Sequence, residues 1–347
     1  MELIRSLFGQ CLPCLPDMSS SSVSINGNKY KILRLLGEGG FSYVYLVSKG
    51  TNSQFALKKI RCPFGGNDEA FKNALKEIRN YHRFATAKTP FIIQSIDESV
   101  IDEPDGSKTI YIILPYFEQS LQDVINANVL NNHSMPEPDV LRVFIGVCRG
   151  LQAMHKYKVY GRNVEDEEDD LLLPGSDEEE EEATTEMSEL KPFAHRDLKP
   201  ANVMLSAEGL PVLVDLGSCS KARVSVKNRQ QALSLTDYAQ EHCTLPYRAP
   251  ELLDVATNAE ITEKTDVWSL GCVLYACCFG FSPFEKLELD QGASLNLAIS
   301  QGRYIIPSTH QYSEGIIDLI EKCLQLESSI RPTVDELLEQ ALEIQRQ

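Results

Sequence analysis

The chain has 347 residues, of which 43% are hydrophobic, and a formal net charge of −17. This length is enough for a large core and predicts one bilobal domain or two small ones. Residues 165–189 contain fourteen Asp and Glu and no Lys or Arg, so the rest of the chain is close to neutral. Because the sequence has no basic stripe, nucleic acid is not expected as a partner. The ten scattered cysteines, without a secretory signal, favour free thiols in a reducing cytosol.

The first 28 residues predict a membrane anchor followed by a flexible linker. Residues 2–12 carry apolar side chains at helical spacing, with polar side chains opposite. Cys11 and Cys14 follow this stripe, and two thiols beside an interfacial helix favour S-acylation. Unmodified thiols, or a metal or redox pair, are the alternatives, although nearby prolines disfavour the helix that a redox pair needs. Residues 17–28, with their serine run, are typical of a linker.

From residue 29 the pattern changes to β-strands around a glycine-rich turn. Gly37, Gly39 and Gly40 let the backbone N–H groups of a turn approach phosphate oxygens. A dinucleotide-binding turn would require a helix next, yet residues 43–47 form a β-type run. The strand–turn–strand context therefore favours a loop that covers phosphates from between two strands.

The following strand and helix supply a cation and a carboxylate. Period-two alternation over residues 54–60 puts Ala56 and Lys58 on one face, where a small side chain can lie over a flat base and a lysine can reach phosphates. In the next predicted helix, Glu77 borders the buried face, where a carboxylate is useful if it pairs with Lys58. Glu69 lies in the solvated first turn and is the poorer candidate.

A strand over residues 109–117 and an amphipathic helix over residues 140–157 lead to an acidic insertion of about residues 162–190. Its acidic core has no periodic apolar face and cannot fold alone. We expect a solvated, disordered insertion, and a regulatory or docking segment for a basic partner is the alternative.

The chemistry is concentrated in residues 195–202, His-Arg-Asp-Leu-Lys-Pro-Ala-Asn, and in an Asp-Leu-Gly triplet that begins at Asp215. Phosphoryl transfer requires positioning and charge neutralisation more than covalent help from the protein. Asp197 can accept a hydroxyl proton, Lys199 supplies a cation, and Asn202 and Asp215 can hold a metal. A plain polar loop is the simpler alternative, but the full run with a correctly spaced triplet is highly specific.

These motifs resemble the protein kinases, and within them the Numb-associated kinase family. The resemblance covers residues 29–345, and its sequence runs include Gly-Glu-Gly-Gly-Phe-Ser-Tyr-Val at 37–44, Asp-Leu-Gly-Ser at 215–218, Tyr-Arg-Ala-Pro-Glu at 247–251 and Asp-Val-Trp-Ser-Leu-Gly-Cys-Val-Leu-Tyr at 266–275. The N-terminal cysteine pair and residues 105–112 are similar to the small lipid-anchored branch, most of all to its fungal vacuolar-membrane member. Two departures are Ser42 in place of a third loop glycine and the extent of the acidic insertion.

The resemblance implies an α+β, bilobal protein kinase fold, with a small β-rich N-lobe over about residues 29–116 and a larger α-helical C-lobe over about residues 117–345. It implies transfer of the ATP γ-phosphate, with Mg²⁺, to hydroxyl groups of protein substrates. Lys199, two residues after the catalytic Asp197, supports serine/threonine over tyrosine specificity.

The resemblance also assigns roles to individual residues. Asp197, Lys199, Lys58 and Glu77 would be catalytic, and Asn202 and Asp215 would hold the metal. ATP would contact the glycine-rich loop, the strand face and the hinge, at Leu36, Gly37, Gly39, Gly40, Val44, Ala56, Lys58, Leu114, Tyr116, Phe117 and Met204. The structural contacts would be made by Thr244 to Asp197 and Lys199, by Glu251 to Arg331, and by Asp266 to the catalytic loop.

The resemblance further implies a peripheral, lipid-anchored protein on the cytosolic face of an internal membrane such as the vacuole, with a role in membrane traffic. A membrane-anchored pseudokinase scaffold that acts by binding is the alternative. The complete catalytic residues argue against it, because a scaffold has no chemical need for them.

Overall fold

The computed structural model describes residues 22–39, 42–50, 53–159 and 189–346. Cys11, Cys14, Gly40 and most of the expected acidic insertion lie outside these ranges. The chain divides into two units, Met1–Ala74 with Ser95–Tyr116, and Leu75–Gln94 with Phe117–Gln347. The first unit is built on a β-sheet and the second is mainly helical.

The first unit contains a six-stranded antiparallel sheet in the order β1-β2-β3-β4-β6-β5. Its strands are β1 (Ser22–Ile25), β2 (Asn28–Gly39), β3 (Ser42–Lys49), β4 (Ser53–Cys62), β5 (Asp97–Asp102) and β6 (Lys108–Pro115). Successive side chains of a strand point to opposite faces of the sheet. One face buries a cluster of apolar side chains, formed by Ile25, Tyr30, Val47, Leu57 and Ile113.

Strand β1 corrects the expected linker. Residues 22–28 form a hairpin with the start of β2, in which Ile25 pairs with Asn28. Asn26 and Gly27 have φ of 46° and 78°, the left-handed values that a tight two-residue hairpin turn requires. The Asn-Gly pair and the alternating Val23 and Ile25 are strand signals, and the neighbouring serines obscured them.

Helix α1 (Glu69–Ala85) contributes residues to both units. The other helices belong to the second unit and are α2 (Leu121–Leu130), α3 (Glu137–His155), α4 (Arg229–His242), α5 (Lys264–Phe279), α6 (Pro283–Gln291), α7 (Leu295–Ser300), α8 (Glu314–Cys323) and α9 (Val334–Arg346). Its short strands are β7 (Gln119–Ser120), β8 (Lys158–Val159), β9 (Glu189–Leu190), β10 (Phe193–Ala194), β11 (Val203–Leu205), β12 (Pro211–Leu213), β13 (Ser220–Lys221), β14 (Val224–Ser225) and β15 (Glu260–Ile261).

Helix α5 is apolar and buried along almost its whole length, including Trp268. It ends where Gly280 takes a left-handed conformation with φ of 87°. Among the described residues, no single helix is both long and apolar enough to cross a membrane. The bent pair of α5 and α6 has sufficient length and apolar composition when the two helices are taken together.

Helix α3 approaches strand β12 closely because two glycines face the strand. A β-carbon on Gly146 would lie 2.2 Å from Cγ of Pro211, and one on Gly150 would lie 2.7 Å from Cδ1 of Leu213. The two glycines are four residues apart and therefore share one face of the helix. Since β12 leads directly to Asp215, this close contact helps to fix where the Asp-Leu-Gly triplet begins.

Strands β8 and β9 lie at the two ends of the expected insertion. Lys158 pairs with Leu190 and Val159 with Glu189, and the backbone N–H of Lys191 donates to the carbonyl of Tyr157 at 2.9 Å. Glu189 and Leu190 are therefore part of a strand pair, and the expected insertion ends before them.

Candidate active site

The catalytic loop, residues 195–202, begins after β10 and ends in a 3-10 turn, Pro200–Asn202. The buried side chain of Asp266 holds this loop in place. The Asp266 carboxylate accepts the backbone N–H of His195 at 2.8 Å and that of Arg196 at 3.0 Å, and it contacts Nε2 of His155 at 3.0 Å. Burial by itself would raise the pKa of Asp266, but the hydrogen bond and charge of His155, with those of His195, outweigh it and lower the pKa below its usual value. A buried carboxylate thus stays charged and fixes the loop.

Arg196 is buried beneath the same loop and has φ of 68°, a left-handed value uncommon for a residue other than glycine. Its guanidinium donates to Oγ1 of Thr265 at 3.0 Å and to the carbonyls of Lys221 and Ala222 at 3.0 and 2.9 Å. Arg196 therefore ties the catalytic loop to the start of the segment that follows the Asp-Leu-Gly triplet.

The Asp197 carboxylate is surrounded by donors from three residues, two in the catalytic loop and one far along the sequence. Oδ1 accepts the backbone N–H of Thr244 at 2.9 Å and its hydroxyl at 2.6 Å. Oδ2 accepts Nζ of Lys199 at 2.6 Å and Nδ2 of Asn202 at 3.1 Å, and Lys199 also donates to the Thr244 hydroxyl at 2.7 Å. These charge-assisted bonds orient the carboxylate that the sequence assigns to the substrate hydroxyl.

Asn202 and Asp215 lie next to each other at the ends of β11 and β12. The backbone N–H of Val214 donates to the carbonyl of Asn202 at 3.0 Å. Because the Asn202 amide nitrogen donates to Asp197, its amide oxygen remains as the ligand atom. Asp215 has φ of 60°, a strained conformation often found at functional sites.

The donor chemistry of these two residues fits Mg²⁺, which prefers hard oxygen ligands. Among the described residues, no group of three His, Cys, Asp or Glu side chains could hold a metal ion by itself. Mg²⁺ usually completes its shell with water and substrate phosphates, so an amide and a carboxylate suffice from the protein.

Glu77 lies in the part of α1 that belongs to the second unit, and it is buried. The Tyr81 hydroxyl donates to its Oε1 at 2.6 Å. A β-carbon on Gly217 would lie 3.5 Å from an oxygen of Asp215 and 3.5 Å from an oxygen of Glu77. The two carboxylates thus converge on this glycine, an arrangement that favours a cation near them.

The sheet of the first unit brings most of the expected ATP contacts onto one face. Lys58 is paired with Val44 on one side, and Ala56 is paired with Leu114 on the other. Directly opposite residues of antiparallel strands point to the same face, so these four side chains share it, opposite the buried cluster. Gly37 lies beside Val44 in the same row.

The remaining expected ATP contacts are distributed over both units. Leu36 lies at a register shift of β2, Gly39 ends that strand, and the Tyr116 hydroxyl accepts from Arg34 at 3.3 Å. Phe117 and Met204 belong to the second unit, where Met204 pairs with Ser120. Lys58 and Glu77 likewise lie in different units, and their pairing stays a prediction.

Glu251 and Arg331, which are 80 residues apart, form a two-pronged ion pair with distances of 2.7 and 2.8 Å. The Arg331 guanidinium also donates to the carbonyls of Lys264, Gln325 and Leu326 and lies 5.1 Å from the Trp268 ring. This pair anchors the turn at Pro250–Leu252, a few residues after Thr244.

Sequence reasoning missed several residues that support the site. Asn80 is fully buried in α1 and donates to the carbonyls of Leu216 and Cys219 at 2.8 and 3.0 Å. His155 touches Asp266, and Tyr81 touches Glu77. Polar residues buried in otherwise apolar helices carry no local signal of their partners, because those partners lie far away in the sequence.

Helix α4 was also missed, although the sequence contains its signals. Asn228 caps it by accepting the N–H of Gln231 at 3.0 Å. Ala232, Leu235 and Ala239 recur at helical spacing and join a buried cluster with Leu252 and Ile261. The helix lies between the Asp-Leu-Gly triplet and Thr244.

The first unit is a β-sheet with Lys58 on one face, and the second unit holds Asp197, Lys199 and Asn202 in a loop braced by Asp266. Together with the Asp-Leu-Gly triplet, these features are those of a protein kinase. The chain matches the family described as Protein kinase domain over residues 30–167 and 189–342, and it belongs to that family. The predicted α+β fold class is therefore confirmed.

Curated relatives specify the enzyme class further. Serine/threonine-protein kinase ENV7 of Saccharomyces cerevisiae is 41% identical, and the alignment covers 97% of this chain and 98% of the relative. Serine/threonine-protein kinase ppk13 of Schizosaccharomyces pombe is 38% identical over 91% and 90%, and serine/threonine-protein kinase 16 of Homo sapiens is 33% identical over 93% and 92%. The chain is a protein serine/threonine kinase, and its resemblance to the Numb-associated kinase family is confirmed.

Proposed function

We propose that Asp197 orients the substrate hydroxyl and accepts its proton, while Lys199 neutralises charge on the transferring phosphoryl group. The contacts that Thr244, Lys199 and Asn202 make with the Asp197 carboxylate carry this proposal. A preoriented carboxylate and cation need no rearrangement during the reaction, which is how electrostatic catalysis lowers a barrier.

Lys58 would hold the α- and β-phosphates, Glu77 would position Lys58, and Asn202 with Asp215 would hold Mg²⁺. Bound ATP and Mg²⁺ supply the phosphoryl group and neutralise its charge. The shared face of Val44, Ala56, Lys58 and Leu114 supports this assignment in the first unit, and the convergence of Glu77 and Asp215 on Gly217 supports it in the second.

The test is incorporation of labelled γ-phosphate into a generic basic protein by wild type and by Asp197→Asn. We expect Asp197→Asn to lose about a thousandfold or more in turnover, since it removes a group that acts in the transition state. Nucleotide binding and melting temperature serve as controls and should be unchanged. Near-wild-type turnover by a well-folded Asp197→Asn protein would contradict the role of Asp197, and an inactive wild type would favour a scaffold.

We propose further that the kinase acts at the cytosolic face of an internal membrane such as the vacuole, in membrane traffic or vacuole regulation. The support comes from the sequence: the amphipathic stretch at residues 2–12, the thiols of Cys11 and Cys14, and the resemblance to a lipid-anchored branch. A short amphipathic helix or one acyl chain binds membranes weakly, whereas two acyl chains anchor stably.

Membrane fractionation of Cys11→Ser, Cys14→Ser and the double variant tests this anchor. We expect the single variants to be intermediate and the double variant to be released with its kinase activity retained. Hydroxylamine should release wild type as well, because it cleaves thioesters. A double variant that sediments with membranes as fully as wild type would show that these cysteines are not the anchor.

A further inference from the structure

A basic cleft lies in the second unit, away from the residues assigned to catalysis. Its volume is about 670 Å³, and it is formed by the loop after α1 and by the end of α3 with the start of β8. The residues that give it its chemical character are Thr86, Thr89, Phe91, Arg149, Lys156 and Lys158.

The charges of this cleft are not balanced by the residues around it. Lys156 pairs with Asp335 at 2.7 Å, whereas Arg149 and Lys158 have no acidic partner within ion-pair distance among the described residues. The Arg149 guanidinium lies over the Phe91 ring at 5.6 Å from its centre, which holds it in place. A cleft lined by one sign of charge attracts ligands of the opposite sign.

The acidic insertion leaves and rejoins the described chain at the edge of this cleft. Lys158 and Tyr157 line the cleft, Val159 follows them, and Val159 is paired with Glu189. The first acidic residue, Glu165, is six positions beyond Val159, and a chain of that length spans about 20 Å at most. The acidic residues are therefore tethered within reach of the cleft at both ends.

We propose that this cleft is a binding site for acidic polypeptide and that its resident ligand is the chain's own segment of residues 165–182. Twelve of these eighteen residues are Asp or Glu, and none is Lys or Arg. Single exposed ion pairs are weak, about 0.2–1 kcal/mol each. Tethering raises the local concentration of a segment to the order of 1 mM, so several weak pairs are enough for occupancy. The basic partner of the insertion is then the kinase domain itself.

A synthetic peptide with the sequence of residues 165–182 tests the site by fluorescence anisotropy. It is titrated into the full chain and into a variant that lacks residues 163–187, in which four residues join Val159 to Glu189, a length typical of hairpins. For a dissociation constant of about 0.1 mM, we expect about tenfold tighter apparent binding to the deletion variant, because the tethered segment competes in the full chain. A peptide with Asn and Gln in place of Asp and Glu should not bind.

Charge reversal locates the binding to this cleft. In the deletion variant, Arg149→Glu with Lys158→Glu should weaken peptide binding about tenfold or more. Arg303→Glu with Arg346→Glu makes the same change in charge at exposed residues outside the cleft and should leave binding within about twofold. A melting curve of each variant shows that it is folded.

The full chain gives a second, independent measurement. Cleavage of the acidic segment by a glutamate-specific protease should be slower in wild type than in the Arg149→Glu, Lys158→Glu variant, and it should become faster at high salt. The proposal is overturned if the peptide does not bind the deletion variant or binds both double variants equally. Equal binding to the full chain and to the deletion variant would show that the segment does not occupy the cleft. None of these measurements depends on kinase activity.

Discussion

At the scale of single residues, the site depends on side chains that share one carboxylate. Both carboxylate oxygens of Asp197 accept hydrogen bonds: Oδ1 from Thr244, and Oδ2 from Lys199 and Asn202. The Thr244 hydroxyl therefore helps to hold the Asp197 carboxylate in the orientation that it presents to a substrate hydroxyl.

Thr244→Val should lower kcat/KM for a protein substrate by about tenfold to a hundredfold. The change removes a hydroxyl that donates to Asp197 and accepts from Lys199, and bonds to charged groups contribute about 1.5–3 kcal/mol each. Thr244→Ser keeps the hydroxyl and is the matched control. Steady-state kinetics on a short serine peptide measures both; equal losses in Val and Ser would mean that the hydroxyl is not the important group.

Asp266→Asn should destabilise the fold by about 3 kcal/mol at neutral pH, because a buried carboxylate loses its charge while its donors remain. The native pKa of Asp266 is lowered, so its contribution is fully present above the unfolded value of about 4 and is lost as pH falls through the native value. Urea unfolding from pH 7 to pH 3.5 checks the sign. The difference in the free energy of unfolding between wild type and variant should be constant above about pH 5 and shrink below about pH 4. A difference that grows on acidification would contradict this mechanism.

At the scale of elements, side-chain periodicity predicted the longer pieces well. The Lys58 strand and the Glu77 helix lie where the sequence put them. Gly37 and Gly39, which were expected in a turn, lie in strand β2. Strand β1 and helix α4 were missed even though their turn and cap residues were visible, because their short apolar patterns stand beside polar runs. The strand register, which puts Lys58 beside Val44, and the approach of α3 to β12 at Gly150 depend on distant partners and could not be read locally.

The Glu251–Arg331 pair connects elements and provides a stability test. Arg331→Met should cost about 3–5 kcal/mol, because it leaves a carboxylate and three backbone carbonyls without their donor. Glu251→Gln should cost less, since an amide oxygen can still accept. Arg142→Met removes an exposed ion pair to Asp139 and should change stability by less than about 1 kcal/mol. Urea unfolding of the three variants would contradict this ranking if Arg331→Met were as mild as Arg142→Met.

At the scale of the whole molecule, most of the net negative charge comes from one stretch that is bracketed by β8 and β9. The kinase domain match itself omits residues 168–188. The hydrogen bonds to the Asp197 carboxylate are made by residues outside this stretch.

Removing residues 163–187 should therefore leave basal turnover within about twofold and the melting temperature within about 3 °C, because a short hairpin connection closes the gap at little entropic cost. A serine peptide without net charge is the substrate, since a basic one would be attracted to the acidic residues. Differential scanning fluorimetry provides the control for folding. Loss of folding or of turnover would show that the stretch is structural.

All eight cysteines in the described part of the chain are buried and unbridged. Burial raises the pKa of Cys219, Cys243, Cys277 and Cys323 to about 12, which keeps these thiols unreactive. Their number was evident from the sequence, whereas their burial follows from packing between distant helices.

The position of Arg196 has a consequence for signalling. Its guanidinium is engaged with Thr265 and with the backbone carbonyls of Lys221 and Ala222, and almost none of it reaches solvent. A phosphate added by an upstream kinase could bind Arg196 only by displacing these three partners, which already satisfy its guanidinium. Arg196 is therefore not expected to be the binding site of an activating phosphate.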